Sequence, residues 1–204
     1  FDPASPEWVS CRNFMIGART PGLAGIWATL DETTRTVTLS HTDLGEIAIC
    51  PDDPADVRRF LSWVAPVCPD QRAVGIVSVE GRGMTDSRFP SVSIMNTASH
   101  RAVADTLETP IELERWRGNI WLDDTPEWAE MEWLGRDIRI GDAVLRIRER
   151  IKRCELTNTN PVIGVRDTPT LDALNTHFGH QDFGVYAEVV TSGKVAVDAR
   201  VDLL

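Results

Sequence analysis

The sequence predicts a mainly β protein with minor α content, in which a closed or nearly closed barrel carries small flanking helices. Three observations predict it: many short apolar stretches alternating with period two, turn residues between them, and few stretches with helical spacing. Strands this short bury their apolar faces only in a second layer or a closed sheet.

The elements follow in order. Thr34 to Ser40 and Gly45 to Cys50 alternate and are rich in β-branched residues, and with Leu44-Gly45 between them they form a hairpin. Asp52-Asp53-Pro54 supplies a capping carboxylate before a proline, and Val57, Phe60, Leu61 and Val64 recur at helical spacing up to Pro66. Trp63 is that helix's packing aromatic. Ala73 to Val79 is a strand, and Glu80 to Pro90 is a turn-rich seam between two parts, residues 1–86 and 87–204. Val92 to Met95 is a short strand, after which Asn96 or Thr97 caps a helix running through Val103 to Leu107. His100 on that helix is a surface or satisfied residue. Ile111 to Leu122 reads as a strand that puts Arg117 and Asn119 on one face. Residues 123–132 form an acidic exposed turn holding Trp128, with Trp133 just beyond, and Ile138 to Ile151 supplies one or two strands feeding Cys154. Pro169 to Phe178 is a short helix, and Phe183 to Val190 with Lys194 to Val201 is the closing hairpin through Ser192-Gly193. His177 and His180, three residues apart in a glycine-containing loop, fit no common zinc spacing.

Composition bounds the function. The 204 residues suffice for one large domain or two small ones, and 42% apolar with 25% charged residues is ordinary for a globular protein. A net charge of −10 argues against a broad nucleic-acid surface, which relies on Lys and Arg against phosphate, but leaves room for one small anion in a local basic pocket. No apolar run approaches a membrane span and no leader opens the chain, so the expected location is cytoplasmic, with no membrane partner. The chain opens on Phe1 rather than on methionine, which predicts that residues precede it. Cys11, Cys50, Cys68 and Cys154 show no CxxC pair and are expected to stay reduced, with Cys50 and Cys68, each followed by proline, as structural residues.

Cys154 is the candidate centre. It follows Arg150, Lys152 and Arg153 within five residues, and neighbouring cations favour the thiolate, the form that attacks electrophiles and ligates metals. Asn158, Asn160, Pro161 and Gly164 beyond it place it where a strand gives way to a loop. From the residues alone two readings stand: a reactive thiolate in a basic pocket of Arg115, Arg117, Arg150, Lys152 and Arg153, or a small buried hydrophobe among solvated charges.

Arg115-Trp116-Arg117-Gly118-Asn119-Ile120, Trp133 to Gly141, Arg153-Cys154 with Thr157 and Pro161 to Gly164, and Phe183-Gly184-Val185-Tyr186-Ala187 stand in the order of a MOSC domain. The chain resembles that family, named after the C-terminal region of molybdenum cofactor sulfurases, and within it the amidoxime-reducing branch. Met84-Thr85-Asp86, Ser91 to Arg101 and Ala18 to Leu23 are similar to the preceding region and to the family's N-terminal β-barrel companion. The resemblance implies a MOSC β-barrel-like domain packed against part of a second barrel. It implies molybdenum cofactor (molybdopterin) as cofactor, with Cys154 as metal ligand and Asp86 facing the metal centre. Arg117, Asn119, Lys152 and Arg153 would hold the pterin. A guanidinium fork beside an amide suits such an anionic, heteroatom-rich ligand. A family-level association with pyridoxal phosphate comes with the same resemblance. The family's basic segment at the start of the barrel has no counterpart here, and Asp198-Ala199 stands where the family usually has Gly-Asp.

The implied reaction is two-electron reduction of a small N-hydroxylated substrate. The four cysteines form no iron–sulfur pattern, so electrons would come from a separate electron-transfer partner. Two alternatives remain at this stage: a carrier of persulfide sulfur or of cofactor with no turnover of its own, and a barrel that has lost its site and acts as an interaction module.

Overall fold

A computed structural model describes residues 7–69, 73–79, 81 and 83–204. The chain divides into two compact units: Phe1–Met84 with Glu155–Thr168, and Thr85–Cys154 with Pro169–Leu204. Strands dominate both, so the protein is mainly β, as its alternation predicts.

In the first unit, β1 (Trp27–Asp31), β2 (Thr36–His41) and β3 (Gly45–Ile49) form an antiparallel meander. The predicted hairpin is its second half; β1 went unseen because Trp-Ala-Thr-Leu-Asp has no clean alternation and all five residues are exposed. Helix α1 (Pro54–Val64) starts as its sequence dictates, with Asp53 Oδ1 accepting from Ala55 N at 2.7 Å before the proline. Trp63 of α1 packs as expected and donates its indole N–H to the carbonyl of Leu44 at 3.1 Å. The strand expected over Ala73 to Val79 does not form. Its alternating residues meet no partner strand among the described residues, and Val74 is 91% exposed. Glu80, in the expected seam, lies outside the described residues.

The second unit is a six-stranded sheet in the order β5-β4-β8-β7-β6-β9. Its strands are β4 (Val92–Asn96), β5 (Ile120–Leu122), β6 (Asp137–Ile140), β7 (Ala143–Lys152), β8 (Asp182–Thr191) and β9 (Val201–Leu203). Only β4 and β5 run parallel, joined through helix α2 (Thr97–Leu107), whose cap is the Asn96 side chain accepting from Ala98 N and Ser99 N. The β7–β8 ladder carries three register shifts, which bend both strands. Ile94, Leu122, Ile138, Leu145, Ile147 and Val185 fill one core, and Met95, Val103, Trp116, Leu174 and Phe183 a second. The short helix expected near Pro169 is α3 (Thr170–Ala173), continued by a π-helical turn, Leu174–Phe178.

Three expectations for this unit need correction. Ile111 to Leu122 is not one strand: Leu113–Trp116 is a 3-10 turn, closed by Arg117 in the left-handed region at φ 51°, and pairing starts only at Ile120. The shared-face argument for Arg117 and Asn119 therefore fails. The segment 123–132 is not wholly exposed, for Trp128 packs on Phe178 at 4.8 Å between ring centroids, while Glu130 and Met131 are buried. The closing hairpin is absent as well. Residues 194–200 form no strand, Asp198 turns the chain at φ 64°, and β9 pairs with β6 instead of β8.

Glu130 has no exposure at all; Asn96 Nδ2 donates to its Oε2 at 3.0 Å, and its Oε1 has no partner. Burial pushes this carboxyl above its ordinary value, against the smaller opposing pull of the Asn96 bond. A group whose folded value is raised contributes stability below its unfolded value near 4.5, and that contribution is lost as pH rises through the folded value. Denaturant titrations over a pH series should show Glu130→Gln gaining on the natural protein as pH rises; parallel profiles would refute the assignment.

Candidate functional site

The site is built at the end of β7. The strand stops at Lys152, and Arg153 N donates to the carbonyl of Gln181 at 2.8 Å as the chain leaves the ladder. Cys154 follows outside the strand with its residue exposed, so the expected strand-to-loop position holds. It is not an entombed hydrophobe. Of the other cysteines, Cys68 is buried, Cys50 half-buried and Cys11 exposed.

Arg153 is differently placed from its neighbours. Its Nε and Nη2 donate to the carbonyl of Phe183 at 2.8 and 2.5 Å, and its Nη1 to the carbonyl of Trp116 at 2.9 Å. Nη2 also reaches Met95 Sδ at 3.1 Å. The guanidinium carbon lies 5.8 Å from the Trp116 and Phe183 ring centres, and those rings stack at 3.8 Å. None of these acceptors is a carboxylate, so the cation is held by neutral groups. Desolvation pulls its pKa down to about 10, while Tyr186, Cys154, Asp86 and Asp182 act on it in the opposite sense. Cys154 and Asp86 thus both lie within electrostatic reach of one guanidinium.

The other expected residues fall around this hub with unequal freedom. Asp86 is exposed in a bend where Thr85 Oγ1 and Ser87 Oγ both donate to the carbonyl of Phe89, at 2.9 and 2.5 Å. Arg117 directly follows Trp116, whose carbonyl Arg153 holds, and its residue is exposed. Lys152 is exposed and paired in register with Asp182. Asn119 Oδ1 is engaged by Ser93, accepting from its N at 2.9 Å and from its Oγ at 2.8 Å, which locks β4 to the approach of β5. Arg115 is not part of an open basic pocket: it is buried and paired with Glu112 at 2.6 Å. Arg150 pairs with Glu132 at 3.5 Å. His180 Nδ1 accepts from Asp182 N, and among the described residues no cluster of three or more His, Cys, Asp or Glu could hold a metal.

Sequence reasoning missed the groups that surround Arg153: Met95, Trp116, Phe183 and Tyr186. Trp116, Phe183 and Tyr186 lie inside the pieces that carried the family resemblance, which was the available signal. His100, expected as a surface or satisfied residue, stands behind them and is satisfied. Its Nδ1 accepts from Trp116 Nε1 at 2.9 Å, and its ring packs edge-on to Trp121 at 5.8 Å. Burial lowers its pKa below the ordinary 6.5, helped by Arg101 and opposed by the Ile111 backbone and Glu114. Because the unfolded chain takes up this proton first, stability should fall as pH drops below about 6.5 toward the folded value. His100→Gln should lose that acid-side slope; an unchanged slope would show that another group causes it.

A profile of the MOSC domain matches residues 86–202, more than half of the chain. The chain belongs to the MOSC domain family. Such domains are associated with molybdenum cofactor, and this MOSC protein is a member of that cofactor-associated family. Among solved structures, YiiM from Geobacillus stearothermophilus is similar at a TM-score of 0.43 and 16% identity, over 55% of this chain and 53% of that one. This chain thus spans about half the length of YiiM. Comparison with curated proteins gave no match. Among the described residues, no helix is long and apolar enough to cross a membrane.

The residues of this MOSC domain fit the cofactor. A sulfur ligand is the soft donor that a thiophilic metal prefers, and Cys154 presents its side chain at an exposed strand end. A guanidinium held by neutral acceptors leaves positive charge for an anionic ligand to balance. Lys152 and Arg117 add two exposed cations.

Proposed function

We propose that this MOSC protein binds molybdenum cofactor through the domain 87–204 and reduces small N-hydroxylated compounds, with Cys154 as the protein's ligand to the metal. The observation that carries the reading is the exposed Cys154 directly beside a cation that, among the described residues, no carboxylate bonds. When bound, the cofactor supplies two-electron chemistry at a centre able to take oxygen from nitrogen. The chain's own residues do the rest. Arg117 and Lys152 hold the anionic groups of the pterin, the amide of Asn119 reads its heteroatoms, and Arg153 lends a fixed positive field to thiolate and pterin together. Asp86, exposed in its bend, relays protons to the substrate. Electrons come from a separate redox protein.

Protein purified from cells that make the cofactor should contain molybdenum and reduce a model amidoxime with an artificial electron donor. Metal-free protein from such cells would contradict the reading. The exposure of Cys154 also favours a second reading, a carrier that holds sulfur as a persulfide. That protein would release cyanide-labile sulfur from Cys154 and show no amidoxime turnover.

A further inference from the structure

We infer that Arg153 is the positioning residue of this site: by joining the carbonyls of Trp116 and Phe183, its guanidinium fixes the thiol of Cys154 and the cation of Arg117 in one constellation. The inference rests on the reading of Cys154 and Arg117 as members of one site. Besides β4, which supplies Met95, three stretches of chain meet at this guanidinium. The end of β7 supplies Arg153 itself, the 3-10 turn supplies Trp116, and the start of β8 supplies Phe183. Backbone ladders tie β7 to β8, but the turn before β5 belongs to a strand two places further along the sheet. The bond from Arg153 Nη1 to the carbonyl of Trp116 spans that gap.

Arg117 needs such a hold. A non-glycine residue at φ 51° keeps that conformation only where its surroundings over-determine it. On one side the preceding carbonyl is bound by Arg153, and the Arg117 N–H donates to Glu114 O at 3.1 Å. On the other side stands Gly118, where any side chain would run into Met95 Cγ. Met95 is itself the third group that Arg153 touches. The planar guanidinium donates in two directions at once, toward Phe183 and toward Trp116. A lysine ammonium has no such fork and would lose one of the two carbonyls.

The test uses the chain purified from a cofactor-deficient host, so that its outcome is independent of whether molybdenum binds. Cys154 is alkylated with neutral iodoacetamide and with anionic iodoacetate at one pH, and the rate at its own peptide is read by mass spectrometry. The ratio of the two rates cancels the thiolate fraction and reports the positive charge held near the sulfur. Arg117→Ala should lower the iodoacetate preference about three- to five-fold, the scale of one nearby charge near a protein surface. Arg153→Lys keeps a cation, yet should lower the preference by about as much, and the double variant should fall no further. A preference unchanged in folded Arg153→Lys, or two losses that multiply in the double variant, would overturn the inference. A purely structural role would lower the melting temperature of Arg153→Lys and leave the ratio alone. Should that variant not fold, the natural protein decides by nitrogen-15 NMR of its guanidinium groups. Arg153 should show hindered rotation and slow proton exchange, and free rotation would overturn the inference.

Discussion

Gly184→Ala should destabilise the protein by about 3 kcal/mol or more, since overpacking and a forced backbone act together at this position. Gly184 sits on β8 at φ 76°, where an L side chain is strained whatever the space. The space is also missing: a β-carbon there would strike Met95 Sδ and stand 2.6 Å from the carbonyl oxygen of Ile94. Neither can retreat cheaply, because Ile94 is in the β4–β8 ladder and Met95 is wholly buried against Arg153. Thermal or denaturant unfolding measures the effect, and a loss below about 1 kcal/mol would show that the strand relaxes more easily than its contacts imply.

Trp116→Ala should cost about 3–5 kcal/mol, the range for removing a large buried aromatic. Trp116 has no exposure, stacks on Phe183 and donates its indole N–H to His100. Its loss would leave a cavity under Arg153 and a bare acceptor on His100. Trp116→Phe separates the two contributions, because it keeps most of the stacking and loses the hydrogen bond. It should cost about 1–3 kcal/mol, the penalty for a buried polar group left without its partner. Equal losses in the two variants would mean that the ring contributes little beyond its N–H.

How much of this was visible in the sequence depends on how local the cause is. The cap and proline of α1, the cap of α2, narrowed to Asn96 or Thr97, and the alternation of β7 are decided by a few adjacent residues, and all three were legible. The segment 111–122 misled because its apolar alternation is real, yet Trp116 turns into the second core and Arg117 takes a left-handed conformation that only distant partners hold. Ala73 to Val79 failed for the opposite reason: alternation licenses a strand only where a partner is available. At the site, the position of Cys154 at a strand end followed from Asn158, Asn160 and Pro161 just beyond it. The role of Arg153 did not. A run of Arg, Lys and Arg looks like a solvated basic patch until Phe183, thirty residues on, and Trp116, thirty-seven before, are brought against it.

Cofactor binding turns on one sulfur atom, which elemental analysis of Cys154→Ser isolates. Natural and variant protein are expressed in a host that makes molybdenum cofactor and are measured beside their melting temperatures. The natural protein should retain molybdenum, and the serine variant should melt close to it and retain almost none. A serine variant that keeps its fold and as much molybdenum as the natural protein would rule out Cys154 as the metal's ligand.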